Sequence, residues 1–203
     1  MRDISDIWQQ AAQELGGTYS ARGHTVNVEG EITVCSGNWT VKTHRFCMAS
    51  GEGYIRLTTA HAFYTTTYNL KFQIKRSGIL SSIGKLMGMQ DIAVGDPAFD
   101  ADFTIKGNSN HEEHIRELLA DAEIKQQLEK LHSGVLAIRD DERLFTPRFK
   151  EDVDELYFQA PGHITDVNEL VAISKLMLAT LNRLVAIGAA KDEAVADPLS
   201  HGA

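Results

Sequence analysis

The sequence predicts an α+β protein in which antiparallel β-meanders pack with a central short helix, a mid-chain helical segment and a long C-terminal helix. Three observations carry that prediction. Between residues 18 and 75 polar and apolar residues alternate with period two, and Gly23, Gly30, Gly37-Asn38 and Gly51-Glu52-Gly53 punctuate the runs. From Ser109 onward a three- and four-residue period takes over, gives way to strands, and returns in a closing helical stripe. The composition is that of an ordinary globular protein, with 43% apolar and 24% charged residues over 203 positions.

Asp3 to Leu15 reads as a short amphipathic helix: Ile4, Ile7, Trp8, Ala11, Ala12 and Leu15 share one side, and Gly16-Gly17 ends it. Strands are expected at Thr18–Arg22, His24–Glu29, Ile32–Ser36, Trp39–Phe46, Tyr54–Ala60 and Phe63–Lys75. The last alternates most clearly, with Tyr64, Thr66, Tyr68, Leu70, Phe72 and Ile74 on one face. A turn at Gly37-Asn38 sets Cys35 opposite Thr40 and far from Cys47, so both thiols read as free. Ile79–Met89 reads as the central helix, although Gly84 and Gly88 each weaken it by up to ~1 kcal/mol relative to alanine. A Gly95-Asp96-Pro97 turn then leads to a strand at Asp102–Lys106.

Ser109 and Glu112 fit a capping box, and a slip of apolar phase predicts a kink or a second helix near Asp121. Strands follow at Val135–Arg139, Arg143–Phe149 and Glu155–Pro161. Asp166 with Glu169 caps the long closing helix, whose stripe runs through Leu170, Ile173, Met177, Leu181 and Leu184. That stripe exceeds what one sheet face covers, which favours a homodimer. Residues 1–190 are expected to form one domain, with pseudo-similar halves at 1–76 and 102–190 joined by 77–101; the tail 191–203 is expected to fray.

A formal net charge of −8 argues against a nucleic-acid surface, which needs clustered Lys and Arg. The N-terminus has no secretory apolar segment, and no stretch approaches the ~18 apolar residues of a membrane span. A cytoplasmic location is the expectation.

Four aspartates, Asp91, Asp96, Asp100 and Asp102, crowd the middle of the chain. Carboxylates in such number suit Mg²⁺ or Ca²⁺, and a metal-dependent hydrolase follows if they converge. Asp96, Asp100 and Asp102 are the candidate metal ligands. The competing account gives Asp96-Pro97 a turn to set and Asp100 nearby backbone amides to bind. Gly78 through Lys85 resembles a phosphate-binding loop, but five residues separate its glycines and Leu86 follows the lysine. His111 and His114, one turn apart, can share a metal ion, and His44 and Cys47, with Cys35 or His24 nearby, can make a soft-ligand site. Neither set has the spacing of an established metal motif. The apolar helix 79–89, with Met87 and Met89, is a candidate for peripheral membrane or partner docking.

The runs Ile83–Ile92 (IGKLMGMQDI), Val94–Asp100 (VGDPAFD) and Phe103–Asn108 (FTIKGN) resemble the central signature of a bacterial family, LGKLLGMQDI, GDPxFD and FxIKGN. The resemblance extends into Asp152–Phe158 and Leu181–Leu184 and spans about residues 54–190. The family has no assigned activity, so it implies no catalytic residue; some relatives carry extra membrane-spanning segments. The expected function is therefore a non-catalytic module without a cofactor, binding a protein partner or its own copy.

Overall fold

Asp3 starts the first helix, α1 (Ile4–Glu14), by accepting the Ser5 amide at 3.0 Å. Its stripe buries Trp8, Ala11 and Ala12. A short strand, β1 (Thr18–Ser20), leads to two hairpins whose turns set the register of this part of the sheet. Gly37 and Gly51 hold φ at 57° and 59°, a left-handed conformation that costs glycine little. The first turn folds β2 (Val28–Ser36) onto β3 (Trp39–Ser50), placing Cys35 opposite Thr40 and Glu31 opposite His44. The second folds β3 onto β4 (Gly53–Thr65), placing Lys42 opposite His61. These are coordinates of a computed structural model, which describes residues 3–21, 27–78, 89–139 and 149–198.

The chain continues through β5 (Phe72–Arg76), β6 (Met89–Asp91), α2 (Pro97–Asp102), β7 (Phe103–Asn108), a 3-10 turn (Ser109–His111), α3 (Glu112–Leu119), α4 (Ala122–Glu129), β8 (Val135–Arg139), β9 (Val153–Pro161) and α5 (Val167–Ala186). The strands form one antiparallel sheet in the order β1-β2-β3-β4-β9-β8-β5-β7-β6. Strands from 1–76 and from 102–190 thus interleave: β9 lies beside β4, and β5 lies between β8 and β7.

The helices pack on one face. Period two sends Ile32, Val34, Val41, Ala60, Ala62 and Tyr64 to that face, where α1 and α5 cover them. Asp166 caps α5 by accepting the Asn168 and Glu169 amides at 2.7 and 3.2 Å. Leu170, Ile173, Met177, Leu181 and Leu184 are buried within the single chain, against α1, α4, β3, β4 and β9. The stripe is therefore fully covered without a second copy, contrary to the expectation that it exceeds what one chain covers. The Glu169 side chain takes no part in the cap; its carboxylate accepts the His132 amide at 3.0 Å.

Four further expectations are corrected. The run 63–75 is not one strand: β4 ends at Thr65, and the chain leaves the ladder before β5 begins at Phe72. The Thr66 and Thr67 amides still bond the Asp152 and Ala189 carbonyls, and beyond them the Tyr68 carbonyl accepts Thr66 Oγ1 and the Leu70 amide, at 2.8 and 2.7 Å, in a local turn. The Ser109 capping box does not form, because Ser109–His111 is a 3-10 turn and neither Asn108 nor His111 caps with its side chain. The tail is tied rather than frayed as far as 198: Lys191 bonds Thr65, Asn38 bonds Asp192 at 3.0 Å, and Lys42 pairs with Asp197 at 2.6 Å. The strand expected at Asp102–Lys106 starts one residue later and continues to Asn108, since Asp102 closes α2. Asp121 does begin a second helix, accepting the Glu123 and Ile124 amides at 2.9 and 3.3 Å. The expected strand Arg143–Phe149, apart from Phe149, and the helix Ile79–Met89, apart from Met89, lie outside the described residues. Met89 itself opens β6.

Candidate functional site

The four central aspartates do not converge. Asp96 caps α2 by accepting the Phe99 amide at 3.3 Å and pairs with Lys125 at 2.7 Å; the Lys125 bond leads in holding its carboxyl below the usual range. Asp100 clasps the Val94 and Gly95 amides at 2.9 and 3.0 Å. Asp102 faces Arg76 at 3.7 Å, and Asp91 faces Lys106 at 3.2 Å across the β6–β7 ladder. Each carboxylate has its own partner, which is the turn chemistry expected of Asp96-Pro97 and Asp100. Among the described residues no three His, Cys, Asp or Glu side chains gather as a metal site.

The end of the same signature holds loop against sheet. A Cβ on Gly107 would lie 2.2 Å from Ile115 Cδ1 and 2.8 Å from Ile92 Cδ1, so only glycine lets these side chains close over β7. The Asn108 carboxamide accepts the Lys71 amide at 3.1 Å and donates to the Asn69 carbonyl at 2.6 Å. That pair of bonds fastens the β4–β5 connection to β7 and brings Tyr68 beside the start of α3.

The soft-ligand set also separates. His44 and Cys47 are three apart on β3, so their side chains leave opposite faces of the sheet. Cys35 sits by Thr40 Oγ1 at 3.8 Å, and His24 lies outside the described residues. Gly78–Lys85 also lies outside them apart from Gly78. His111 and His114 do come together, ring centroids 5.7 Å apart, both against Tyr68.

A polar cluster that the spacing did not single out occupies the sheet face away from α5. Glu31 bonds His44 Nε2 at 2.9 Å and accepts Thr33 Oγ1 at 3.1 Å. The His44 hydrogen bond, outweighing burial, holds the Glu31 carboxyl down to about 2. His61 meets His44 edge to face at 4.7 Å and Phe63 at 5.4 Å. Burial first, then the charge of His44, pushes the His61 imidazole down to about 3, and its Nε2 has no hydrogen-bond partner among the described residues. In the same transverse row Tyr157 packs under Arg139, 3.6 Å from guanidinium to ring, with its phenol pushed up to about 12 by burial. The cluster is enclosed, with His44 and His61 both buried, and among the described residues no Ser or Cys joins the two rings as a nucleophile. It is a locked polar core. A small recess between β5, β7, β8, β9 and α4 has room for about one water.

One surface stands out from the rest. The pairing of β4 with β9 starts at Leu57 and that of β2 with β3 stops at Phe46. Only the bonds Cys47 N to Asn27 O and Gly162 N to Arg56 O, both 2.8 Å, extend it. Beyond them the β3–β4 hairpin projects as a finger paired only with itself among the described residues. Met48 and Ile55 face each other on one side of it, and Tyr54 with Arg56 lies on the other. These are its exposed apolar side chains: Met48 at 40%, Ile55 at 39% and Tyr54 at 69% exposure.

No protein-family model and no curated protein matches the sequence. Among solved structures the chain is similar to the crystal structure of the mycobacterial trehalose monomycolate transport factor A, TtfA. The TM-score is 0.50 over 92% of this chain and 95% of that one, at 10% identity. A likeness at that identity is one of fold. No helix among the described residues is long and apolar enough to cross a membrane.

Proposed function

We propose that this chain is a non-catalytic binding module that engages a protein partner through the tip of the β3–β4 hairpin. The observation that carries it is the exposed trio Met48, Tyr54 and Ile55 on a finger that outruns both neighbouring strands. Apolar side chains on both of its faces suit insertion into a cleft, where a flat bilayer would receive only one. The open edges of the finger add backbone donors and acceptors that a partner strand can pair. The acidic middle supports the same reading, because its carboxylates serve turns, caps and ion pairs. Two free thiols, Cys35 and Cys47, support a reducing compartment, and we place the protein in the cytoplasm. We also infer kinship with the bacterial family of the central signature, supported by the backbone roles of Asp100, Gly107 and Asn108. The structural neighbour is described as a transport factor; the likeness supports a shared fold and transfers no cargo.

The test compares the wild-type chain with a Tyr54→Ser, Ile55→Ser variant as bait in cross-linking and co-purification. The expected result is a protein recovered at fixed stoichiometry with the wild type and lost with the variant, at unchanged circular dichroism. A concentration-dependent sedimentation coefficient abolished by the variant identifies the partner as a second copy. Equal recovery with both baits overturns the proposal, as does tip-dependent binding to lipid vesicles with no protein partner.

A further inference from the structure

Three rings meet where the β4–β5 connection passes the start of α3. Tyr68 stacks on His111 with centroids 4.8 Å apart and lies 5.0 Å from His114, and the two histidines are 5.7 Å apart at 61° between planes. Each ring carries a buried polar atom with no hydrogen-bond partner among the described residues: Tyr68 Oη, His111 Nδ1 and His114 Nδ1. Folded proteins pair the great majority of such atoms, and three orphans on touching rings point to something that binds all three. The arrangement is held from outside. Asn108 bolts residues 69–71 to β7, Thr66 Oγ1 fixes the Tyr68 carbonyl, and the 3-10 turn Ser109–His111 runs directly into α3.

We propose that His111, His114 and Tyr68 form a binding site for one divalent transition-metal cation of the zinc, cobalt, nickel or copper class. Imidazole nitrogen is a borderline ligand that suits these ions over Mg²⁺ or Ca²⁺. A metal about 2.0–2.1 Å from each ring nitrogen allows two imidazole centroids to lie up to roughly 6 Å apart. The observed 5.7 Å and the crossed planes fit two ligands on one tetrahedral ion. The third ligand is a phenol, which releases its proton to solvent as it binds. Water completes the shell around the ion.

The experiment titrates the purified full chain with Co²⁺ and Zn²⁺, reading cobalt absorption bands and binding heat. Binding at one equivalent is expected, with His111→Ala and His114→Ala each weakening it by more than about tenfold. Tyr68→Phe is expected to retain weaker binding with shifted cobalt bands, the signature of a lost oxygen ligand. Histidine-ring NMR of the wild-type chain gives a reading independent of variant folding, with Zn²⁺ expected to move the His111 and His114 signals. Absence of heat and cobalt bands up to millimolar metal overturns the proposal. So does wild-type affinity in the double histidine variant, or Zn²⁺ shifts confined to other histidines.

Discussion

The two histidine pairs of this molecule use the same rings and reach opposite states. His44 and His61 lie 4.7 Å apart on the sheet, and register alone delivers the group that completes them: Glu31, opposite His44, bonds it at 2.9 Å. One atom stays unpaired there, His61 Nε2, and it belongs to the ring that the fold keeps neutral. His111 and His114 lie 5.7 Å apart at a helix start, and each of them, like their common neighbour Tyr68, keeps a buried polar atom with no partner among the described residues. A buried polar cluster whose counter-charge comes from the fold contributes to stability. One whose counter-charge is missing from the fold is open to a ligand from solution.

The strongest way to break the first cluster is Glu31→Gln. It keeps the shape and removes the charge that faces His44 across a buried contact, and losing one partner of such a pair costs about 3 kcal/mol. The urea midpoint at pH 7 should fall accordingly. The pH dependence should change as well. With its folded value lowered from 4.5 to about 2, Glu31 contributes stability that is complete above 4.5 and is lost as pH falls toward 2. The variant should lack that limb of the acid-unfolding curve.

Asn108→Ala separates the clusters. It deletes the bonds to the Lys71 amide and the Asn69 carbonyl and should cost about 1–3 kcal/mol. It loosens the segment that carries Tyr68 while leaving β2, β3 and β4 untouched. Cobalt affinity should drop by about tenfold in this variant, as for an outer support of a metal site. Its acid-unfolding slope should match the wild type; a changed slope with unchanged cobalt affinity would invert the comparison.

Part of this contrast was legible in the sequence. The Gly37-Asn38 turn that sets Cys35 opposite Thr40 also sets Glu31 opposite His44, by counting four residues further along each strand. The Gly51-Glu52 turn likewise sets Lys42 opposite His61, so the first cluster follows from turn chemistry and period two. Asp100 and its backbone amides were legible too, because the contact spans only a few residues. The second cluster was half legible. The spacing of His111 and His114 reads directly, but Tyr68 reaches them only because the chain leaves the ladder at Thr66 and Asn108 pins the connection. Alternation across 63–75 masked that break, since it records which side is buried and carries nothing about which strand is the neighbour. The docking of β9 against β4 rests on contacts between distant segments that no local pattern encodes.

The smallest expected effect at neutral pH is His61→Phe, and it sharpens the comparison most. His61 is 6% exposed, and burial lowers its imidazole from 6.5 to about 3. The unfolded chain therefore takes up a proton at this residue as pH falls below 6.5, while the folded chain does not until about 3. Folding stability is complete above 6.5 and declines through that window. Phenylalanine fills nearly the same space against Phe63 and His44, removes the orphan nitrogen and cannot titrate, so the change at pH 8 should stay within about 1.5 kcal/mol. Urea midpoints at pH 8, 6, 5 and 4 should show the wild type declining from pH 6 and the variant holding level until Glu31 begins to titrate near 4.5. If the variant keeps the decline between 6.5 and 4.5, another group accepts that proton and His61 is not what closes the first cluster to charge. His114→Phe is the matched control, since its expected loss is in cobalt binding.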